Sequence, residues 1–228
     1  MEAQIPSVAI RALSKWSQPI VRPLVDETWS INNAHDAYGF RPDLIIAMDD
    51  LARDHAMPEH KHYVESIVNA GCQVYSARAD KRWPTVRPYP LARVLDALDM
   101  DERAWPLFDN TLNFAFALAL AEKFDPIWWF GADWRNPYND IELKVAQYHW
   151  KLKGYDPPDW FCYHDKYIVY SASNTEPGSE AFHFWLGYAQ HKGVDVRFPP
   201  KSSILNRDRI PHWYGYNDAD MPKLPENK

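Results

Sequence analysis

Residues 109–133 read DNTLNFAFALALAEKFDPIWWFGAD and carry the strongest fold signal in the chain. The middle of this stretch is apolar around most of a helix, which predicts a largely buried helix. A continuous apolar run at 127–130 then predicts a strand covered on both faces. Small polar residues stand where the helix begins, and Asp133 follows the strand. Ligands collect at helix N-termini and strand ends in parallel α/β proteins, so the stretch predicts a ligand site as well as a fold.

Strand and helix patterns alternate on both sides of this stretch. We expect strands at 28–31, 44–48, 72–75, 127–130 and 194–198, and helices at 58–69, 90–98, 112–123 and 178–192. This order predicts an α/β fold, a Rossmann-like, mostly parallel sheet with helices on both faces. Residues 1–228 are expected to form one domain. Within it, 134–177 is rich in proline and aromatic residues and is expected to be a lid-like insertion.

Composition excludes several classes of protein. The chain has 31 acidic against 25 basic residues, a net charge of −6, which argues against a general nucleic-acid coat protein. Its two cysteines give neither a disulfide framework nor a metal cluster. No apolar run approaches the ~20 residues that span a bilayer, and no secretory segment opens the chain. We therefore expect a cytoplasmic protein with no membrane partner. Its oligomeric state is not indicated.

Polar residues follow the expected strands. Asn and Asp make good turns, which would explain any one of these loops. Paired amides at a strand end also offer the donors and acceptors that read a base or ribose edge. Several polar loops on one edge of the sheet favour a nucleotide or sugar site. The residues in question are Asn32, Asn33, His35, Asp49, Asp50, Asp133 and Ser203.

From Asn110 to Asp133 the chain resembles, without a gap, a segment of the small bacterial sialyltransferases. In that family the segment reads Thr-Ser-Gly, an apolar helix, a strand and Gly-x-Asp. Asn110 stands at the family's threonine, Thr111 at its serine and Asp133 at its acid. Asn32 matches an asparagine at the site of the CMP-sugar donor, and Asp49 falls at another nucleotide-contacting asparagine.

Weaker matches extend this resemblance to both ends of the chain. Pro6-Ser7 resembles the Pro-Ser of the family's first, glycine-rich loop, and PPKSSIL at 199–205 resembles its C-terminal Pro-Asn-Ser-Leu-Leu. The chain also resembles uncharacterised phage-encoded proteins that share the Gly-x-Asp segment and a terminal YGY, here 214–216. Hydroxymethylpterin pyrophosphokinase-like proteins share the same general pattern.

The resemblance implies a single nucleotide-sugar-binding domain and a glycosyltransferase that moves a sugar from a nucleotide-sugar donor to an acceptor hydroxyl. It implies no required cofactor. Leu112 replaces the family's glycine, and the first loop lacks its glycines, so the backbone cannot approach a phosphate as closely and the donor stays open. The implied donor-binding residues are Ser7, Asn32, Asn33, Asp49, Asn110, Thr111, Asp133 and Ser203.

The general base has three candidates. The family's base is a histidine in a Tyr-x-Gly-His-Ser-like stretch, and Tyr170 takes its place in the nearest match here. A tyrosine titrates near ~10 and is a poor base at neutral pH, whereas histidine is well matched. We therefore prefer His164, a few residues upstream. His35 is the third candidate because it lies in the Asn32-Asn33 loop.

The Asp49-Asp50 pair supports an alternative function. Adjacent carboxylates at a strand end suit Mg²⁺ or Mn²⁺, and a pterin-type pyrophosphokinase would need Mg²⁺ on ATP. The simpler interpretation is a turn followed by a helix whose first turn is acidic. A non-catalytic nucleotide-binding protein is a third alternative, since the missing glycines would permit it.

Residues 76–93 are basic in an acidic protein and are interleaved with aromatic residues. Basic side chains neutralise phosphates and aromatic faces stack on bases, so this segment favours DNA as the acceptor. With the phage resemblance, the acceptor would be a modified base in phage DNA and the location the host cytoplasm. A solvated Pro-rich loop is the alternative. The predicted acceptor-binding residues are Arg78, Lys81, Arg82, Trp83 and Arg87.

Overall fold

The computed structural model describes residues 5–12, 24–132 and 176–199. This part of the chain forms one seven-stranded sheet with helices packed on it. The strands are β1 Val8–Arg11, β2 Glu27–Ile31, β3 Leu44–Ala47, β4 Gln73–Ser76, β5 Val86–Pro88, β6 Ile127–Phe130 and β7 Val196–Arg197. The helices are α1 Ala34–Tyr38, α2 Leu51–His55, α3 Lys61–Val68, α4 Leu91–Ala97, α5 Thr111–Ala121 and α6 Glu176–His191, with a 3₁₀ helix at Glu102–Leu107.

Every pair of neighbouring strands is parallel, and the strand order is β5-β4-β3-β2-β1-β6-β7. The carboxyl ends of all seven strands therefore lie along one edge of the sheet, which we call the carboxyl edge. From β1 the chain adds strands on one side as far as β5, then returns to β6 on the other side of β1. The strand order thus reverses between β1 and β6, where open α/β sheets form their ligand crevice. The Rossmann-like fold class is confirmed.

The central strand β1 is one of the elements that the sequence pattern does not predict. Its four residues are all buried, but the run is short and ends on Arg11, so it lacks the length of a typical strand signal. β5 and the five-residue helix α1 escape prediction for the same reason, whereas α2 is the helix of the simpler interpretation of Asp49-Asp50. The five predicted strands are present as β2, β3, β4, β6 and β7.

Helices cover both faces of the sheet, as predicted. On one face α4, α5 and α6 pack on β1, β2, β3 and β6 in a core that includes Trp29, Trp129 and Trp185. On the other face α2 and α3 pack on β3, β4 and β5. Residues 113–120 of α5 are all buried, which confirms the prediction of a largely buried helix. No helix in the described ranges is both long and apolar enough to cross a membrane.

Alanine substitutions at two glycines, one within α6 and one just after it, should change the free energy of unfolding in opposite directions. Gly193 follows the helix with a φ of +74°, where a side chain adds strain, so Gly193→Ala should lower the free energy of unfolding by about 1–2 kcal/mol. Gly187 is exposed within the helix with open space around a Cβ, so Gly187→Ala should raise it by about 1 kcal/mol. Urea unfolding of the two variants measures both changes in free energy. Changes of the same sign in the two variants would contradict the assigned end of α6.

Candidate functional site

The loops after β2 and β3 meet at the carboxyl edge. Ile31 at the end of β2 pairs with Ile46 of β3, and Ala47 pairs with Ser76 of β4. Asn32 and Asp49 therefore follow adjacent strands. The N-terminus of α5 reaches the same edge, because the helix runs back across the sheet before β6. The amide pair, Asp49 and the start of α5 therefore all lie at the carboxyl edge.

Half-buried Asn32 and fully buried Asn33 lie at this edge and carry amide atoms with unsatisfied hydrogen-bonding capacity. Asn32 has a φ of +52°, a conformation that asparagine tolerates better than most residues, and its N–H donates to the Ile46 carbonyl at 2.9 Å. Asn33 is fully buried. Among the described residues, the buried Oδ1 of Asn32 and both Oδ1 and Nδ2 of Asn33 have no hydrogen-bond partner. An unpaired buried polar group costs about 1–3 kcal/mol, so these atoms are suited to a polar ligand.

At the start of α5, the Asn110 side chain is used within the protein. Its Oδ1 accepts from the N–H groups of Leu112 and Asn113 at 3.0 and 3.2 Å, and its Nδ2 donates to Asp109 at 2.9 Å. This is an N-cap, so the predicted donor contact through the Asn110 amide is corrected to a structural role. Thr111 is half-buried, and none of the hydrogen bonds among the described residues involves its hydroxyl. Thr111 therefore stays a candidate for the ligand.

Asp49 and Asp50 are directed to different partners. Asp50 caps α2 by accepting from the Arg53 N–H at 3.2 Å, and it lies 3.7 Å from Arg78. Asp49 accepts a hydrogen bond from the Tyr63 hydroxyl. The turn-and-helix interpretation of Asp50 is confirmed, and the two carboxylates do not form the paired cation site expected from sequence. In the described ranges, no group of three His, Cys, Asp or Glu residues could hold a metal ion.

The Asp49 carboxyl lies in an environment that disfavours its charged form. Burial raises the pKa of Asp49, and the hydrogen bond from Tyr63 opposes this rise. The Asp49 carbonyl also accepts from the Ser76 hydroxyl at 2.9 Å, which fixes the backbone. Tyr63 and Ser76 are 14 and 27 residues away in sequence, so no local pattern could have indicated these contacts.

His35 is a structural histidine rather than a base. Its Nδ1 lies 3.3 Å from the Ser30 hydroxyl and its Nε2 lies 3.1 Å from the Ser66 carbonyl. Burial lowers the pKa of His35, the largest of the effects on it. Because both ring nitrogens are engaged inside the protein, neither is free to accept a proton from a substrate. The prediction of His35 as a catalytic candidate is therefore wrong.

Ser7 lies at the wrong edge of the sheet for a donor contact. It precedes β1, whereas the carboxyl edge begins after Arg11. Its N–H and its hydroxyl both donate to the Asp26 carboxylate at 2.7 Å, and these bonds lower the pKa of Asp26. The Pro6-Ser7 match with a first glycine-rich loop is corrected, because the loop after β1 starts at Ala12.

Four predicted site residues lie outside the described residues. They are the base candidates His164 and Tyr170 and the donor residues Asp133 and Ser203. They stay predictions.

The basic segment 76–93 is largely neutralised within the protein. Arg82 forms an ion pair with Asp80 at 2.7 Å, and these bonds lower the pKa of Asp80 to about 2. The Arg82 guanidinium also lies 4.4 Å from the centre of the Trp83 ring, and the His55 ring meets Trp83 nearly at right angles. Arg82 therefore covers one face of the half-buried Trp83, and the role of Trp83 in stacking stays a prediction. Lys81 and Arg87 are exposed.

A cleft of about 360 Å³ separates this segment from the start of α2. Its lining carries charges of both signs, which gives no net attraction for a polyanion. The lining residues are Asp50, Leu51, Ala52, Arg53, Arg78, Ala79, Asp80, Trp83 and Val86.

Comparison with protein-family models and with curated proteins gives no match. Among solved structures, the chain is similar to the sialyltransferase CstII from Campylobacter jejuni in complex with the substrate analogue CMP-3FNeuAc, with a TM-score of 0.49 and 12% identity over 89% of this chain and 84% of that one. A CstII variant in complex with CMP gives a TM-score of 0.48 at 12% identity over the same shares. Monomeric CstII gives 0.47 at 13% identity, over 88% and 84%. At such identities a function has to be argued from the residues of this chain.

His35 should make the protein sensitive to acid. An unfolded histidine titrates near ~6.5, and the folded pKa is lower, so the unfolded state binds more protons and stability falls as the pH drops through about 6.5. Urea unfolding between pH 7.5 and 5 should show this slope, and His35→Gln should reduce it. His191→Gln, at an exposed position on α6, is the matched control. An unchanged slope in His35→Gln would contradict the assignment.

Proposed function

We propose that the protein is a glycosyltransferase that uses a nucleotide-sugar donor and binds the donor's nucleotide across the carboxyl ends of β1, β2 and β6. The observation that carries the proposal is the pair Asn32 and Asn33, whose buried amide atoms have no partner among the described residues. Each amide offers both donors and an acceptor, the combination that a base or ribose edge requires. The pair follows β2, the strand beside the reversal of strand order.

The start of α5 supports an anionic ligand at the same edge. An N-terminus of this eleven-residue helix carries a partial positive charge that favours a phosphate. Asn110 already satisfies the N–H groups of Leu112 and Asn113, so the hydroxyl of Thr111 is the side-chain group left for the donor. Asp133 follows Gly131 by two residues in sequence and is the predicted donor residue that would complete this end of the site.

Sugar transfer is favoured over the alternatives for two reasons. The resemblance of 110–133 to the sialyltransferase segment coincides with the part of the chain that forms α5 and β6. The pyrophosphokinase alternative rested on Asp49 and Asp50 as a cation pair, and the two carboxylates have separate partners instead. A non-catalytic nucleotide-binding protein is an outcome of the test below.

The acceptor contributes a hydroxyl group, and a modified base in phage DNA is the specific acceptor that the sequence favours. The structure gives that acceptor little support, because Arg82 is paired with Asp80 and covers Trp83. Exposed Lys81 and Arg87 are the basic residues of the predicted set that an acceptor phosphate would meet first. DNA is therefore one arm of the transfer assay, beside saccharide acceptors.

A ligand panel tests the proposal directly. CMP-, UDP- and GDP-sugars, and ATP with Mg²⁺, are compared by thermal shift, since a ligand that binds the native state raises the melting temperature by mass action. Transfer of a labelled sugar is then measured to methyl glycosides and to hydroxymethylated and plain DNA. We expect a shift with one class of sugar nucleotide, and transfer from it. A shift with ATP and Mg²⁺ alone, or nucleotide binding without transfer to any acceptor, would contradict the proposal.

Removal of the unpaired amides should separate binding from stability. Asn33→Leu replaces an unsatisfied buried amide by an apolar group of similar size, so it should raise the free energy of unfolding by about 1–3 kcal/mol while weakening nucleotide binding. Asn32→Gly keeps the left-handed backbone and should also weaken binding. Urea unfolding and calorimetry measure the two effects.

The control for these variants is Asn110→Ala, which removes a satisfied amide. It should lower the free energy of unfolding by about 1 kcal/mol because α5 loses its cap. Unchanged nucleotide affinity in both Asn33→Leu and Asn32→Gly would place the donor elsewhere.

A further inference from the structure

We infer that Asp49 is the general base that accepts the proton of the acceptor hydroxyl during sugar transfer. The inference rests on the proposed function and adds a residue role to it. Asp49 stands two residues beyond the end of β3, on the strand adjacent to β2 and its amide pair. Neighbouring strands lie about 4.8 Å apart, so a substrate beside Asn32 is within reach of Asp49.

Two hydrogen bonds from other elements hold Asp49 in place. The Tyr63 hydroxyl of α3 donates to carboxylate Oδ2. The Ser76 hydroxyl at the end of β4 donates to the Asp49 carbonyl at 2.9 Å, and Ser76 itself is fully buried. The side chain and the backbone are thus fixed separately, as a catalytic group requires.

The second carboxylate oxygen of Asp49 has no partner within the described residues. Oδ1 accepts no hydrogen bond from any of them, and Asp49 is half-buried, whereas Asn33 is fully buried. One oxygen is therefore anchored by Tyr63 while the other is not committed to a contact among the described residues. This is the arrangement in which a carboxylate takes a proton from a hydroxyl group at hydrogen-bond distance.

The surroundings of Asp49 raise its pKa, which favours proton acceptance from a hydroxyl group. Burial raises its pKa, and the nearby charge of Asp54 also raises it. The hydrogen bond from Tyr63 and the charges of Arg53 and His60 act in the opposite direction. A carboxylate whose pKa lies above that of a free aspartate is a stronger base for a hydroxyl group.

The proposed step balances in atoms and electrons. The acceptor oxygen forms a bond to the anomeric carbon of the donor sugar, and its proton passes to Oδ1 of Asp49. The bond between the anomeric carbon and the phosphate oxygen breaks, and its electron pair leaves with the nucleotide phosphate. No other reactant is needed.

The adjacent Asp50 provides a matched comparison. Its carboxylate caps α2 and faces Arg78, and asparagine caps a helix as well as aspartate does. Asp49→Asn should lower kcat by about 10²- to 10⁴-fold, the usual contribution of a general base. Asp50→Asn should leave kcat within a few-fold of wild type. Equal, small effects of the two substitutions would overturn the inference.

A pH profile distinguishes a base from a merely structural carboxylate. The Tyr63 hydrogen bond holds the pKa of Asp49 down, so Tyr63→Phe should move the acidic limb of kcat to higher pH while transfer continues above it. An unmoved limb in an active Tyr63→Phe variant would overturn the assignment. His164→Gln is measured alongside, because transfer that is lost there and kept in Asp49→Asn would make His164 the base.

The outcomes also separate this inference from the proposed function. If wild type binds a sugar nucleotide and transfers the sugar, and Asp49→Asn does so equally well, the base assignment alone fails. If wild type transfers no sugar to any acceptor, both the proposed function and the base assignment fail.

Discussion

The parallel pairing of β1 with β2 on one side and β6 on the other is the constraint on which the rest of the molecule depends. It places Val8 opposite both Glu27 and Ile127 and carries on past the strand ends, where the Ala12 N–H donates to the Phe130 carbonyl at 2.7 Å. From β1 the strand order runs to β5 on one side and to β7 on the other, so it reverses at this point of the carboxyl edge. Open parallel sheets form their ligand crevice at such a reversal.

Stability and ligand binding compete at this edge. Asn33 is sealed from solvent with an amide that pairs with none of the described residues, a conformation that costs free energy in the unliganded protein. The cost is tolerable because the core beneath is large and aromatic: Trp129 packs on Phe116 and Phe182, and Trp185 packs on Phe108. Burial of such rings contributes several kcal/mol each, enough to offset an unsatisfied amide. The same balance would not hold in a smaller domain.

The buried helix and strand at 112–130 could be predicted because their apolar pattern is long and continuous. The site could be predicted only in part. β1 is a four-residue strand that the pattern does not predict, and Ser7, matched with the family's first glycine-rich loop, precedes this strand at the opposite edge of the sheet. His35 is a base candidate in sequence because it lies in the Asn32-Asn33 loop, and no local pattern indicates its partner Ser66, which is 31 residues away in sequence. Local sequence patterns predict helices, strands and helix caps. Whether a polar side chain is available to a substrate depends on hydrogen bonds between elements that are distant in sequence.

Asp49 and Asp50 show how strongly this last step depends on position. The two residues are identical in chemistry and adjacent in sequence, and the helix that starts at Leu51 separates their roles. The residue before a helix has its side chain directed at the free N–H groups of the first turn, so Asp50 is committed to the cap. The residue before the cap has no such partner in its own helix. Asp49 meets α3 and β4 instead, where Tyr63 and Ser76 anchor it at the carboxyl edge and its Oδ1 has no partner among the described residues. A single step along the backbone therefore converts a structural carboxylate into one that can act on a substrate.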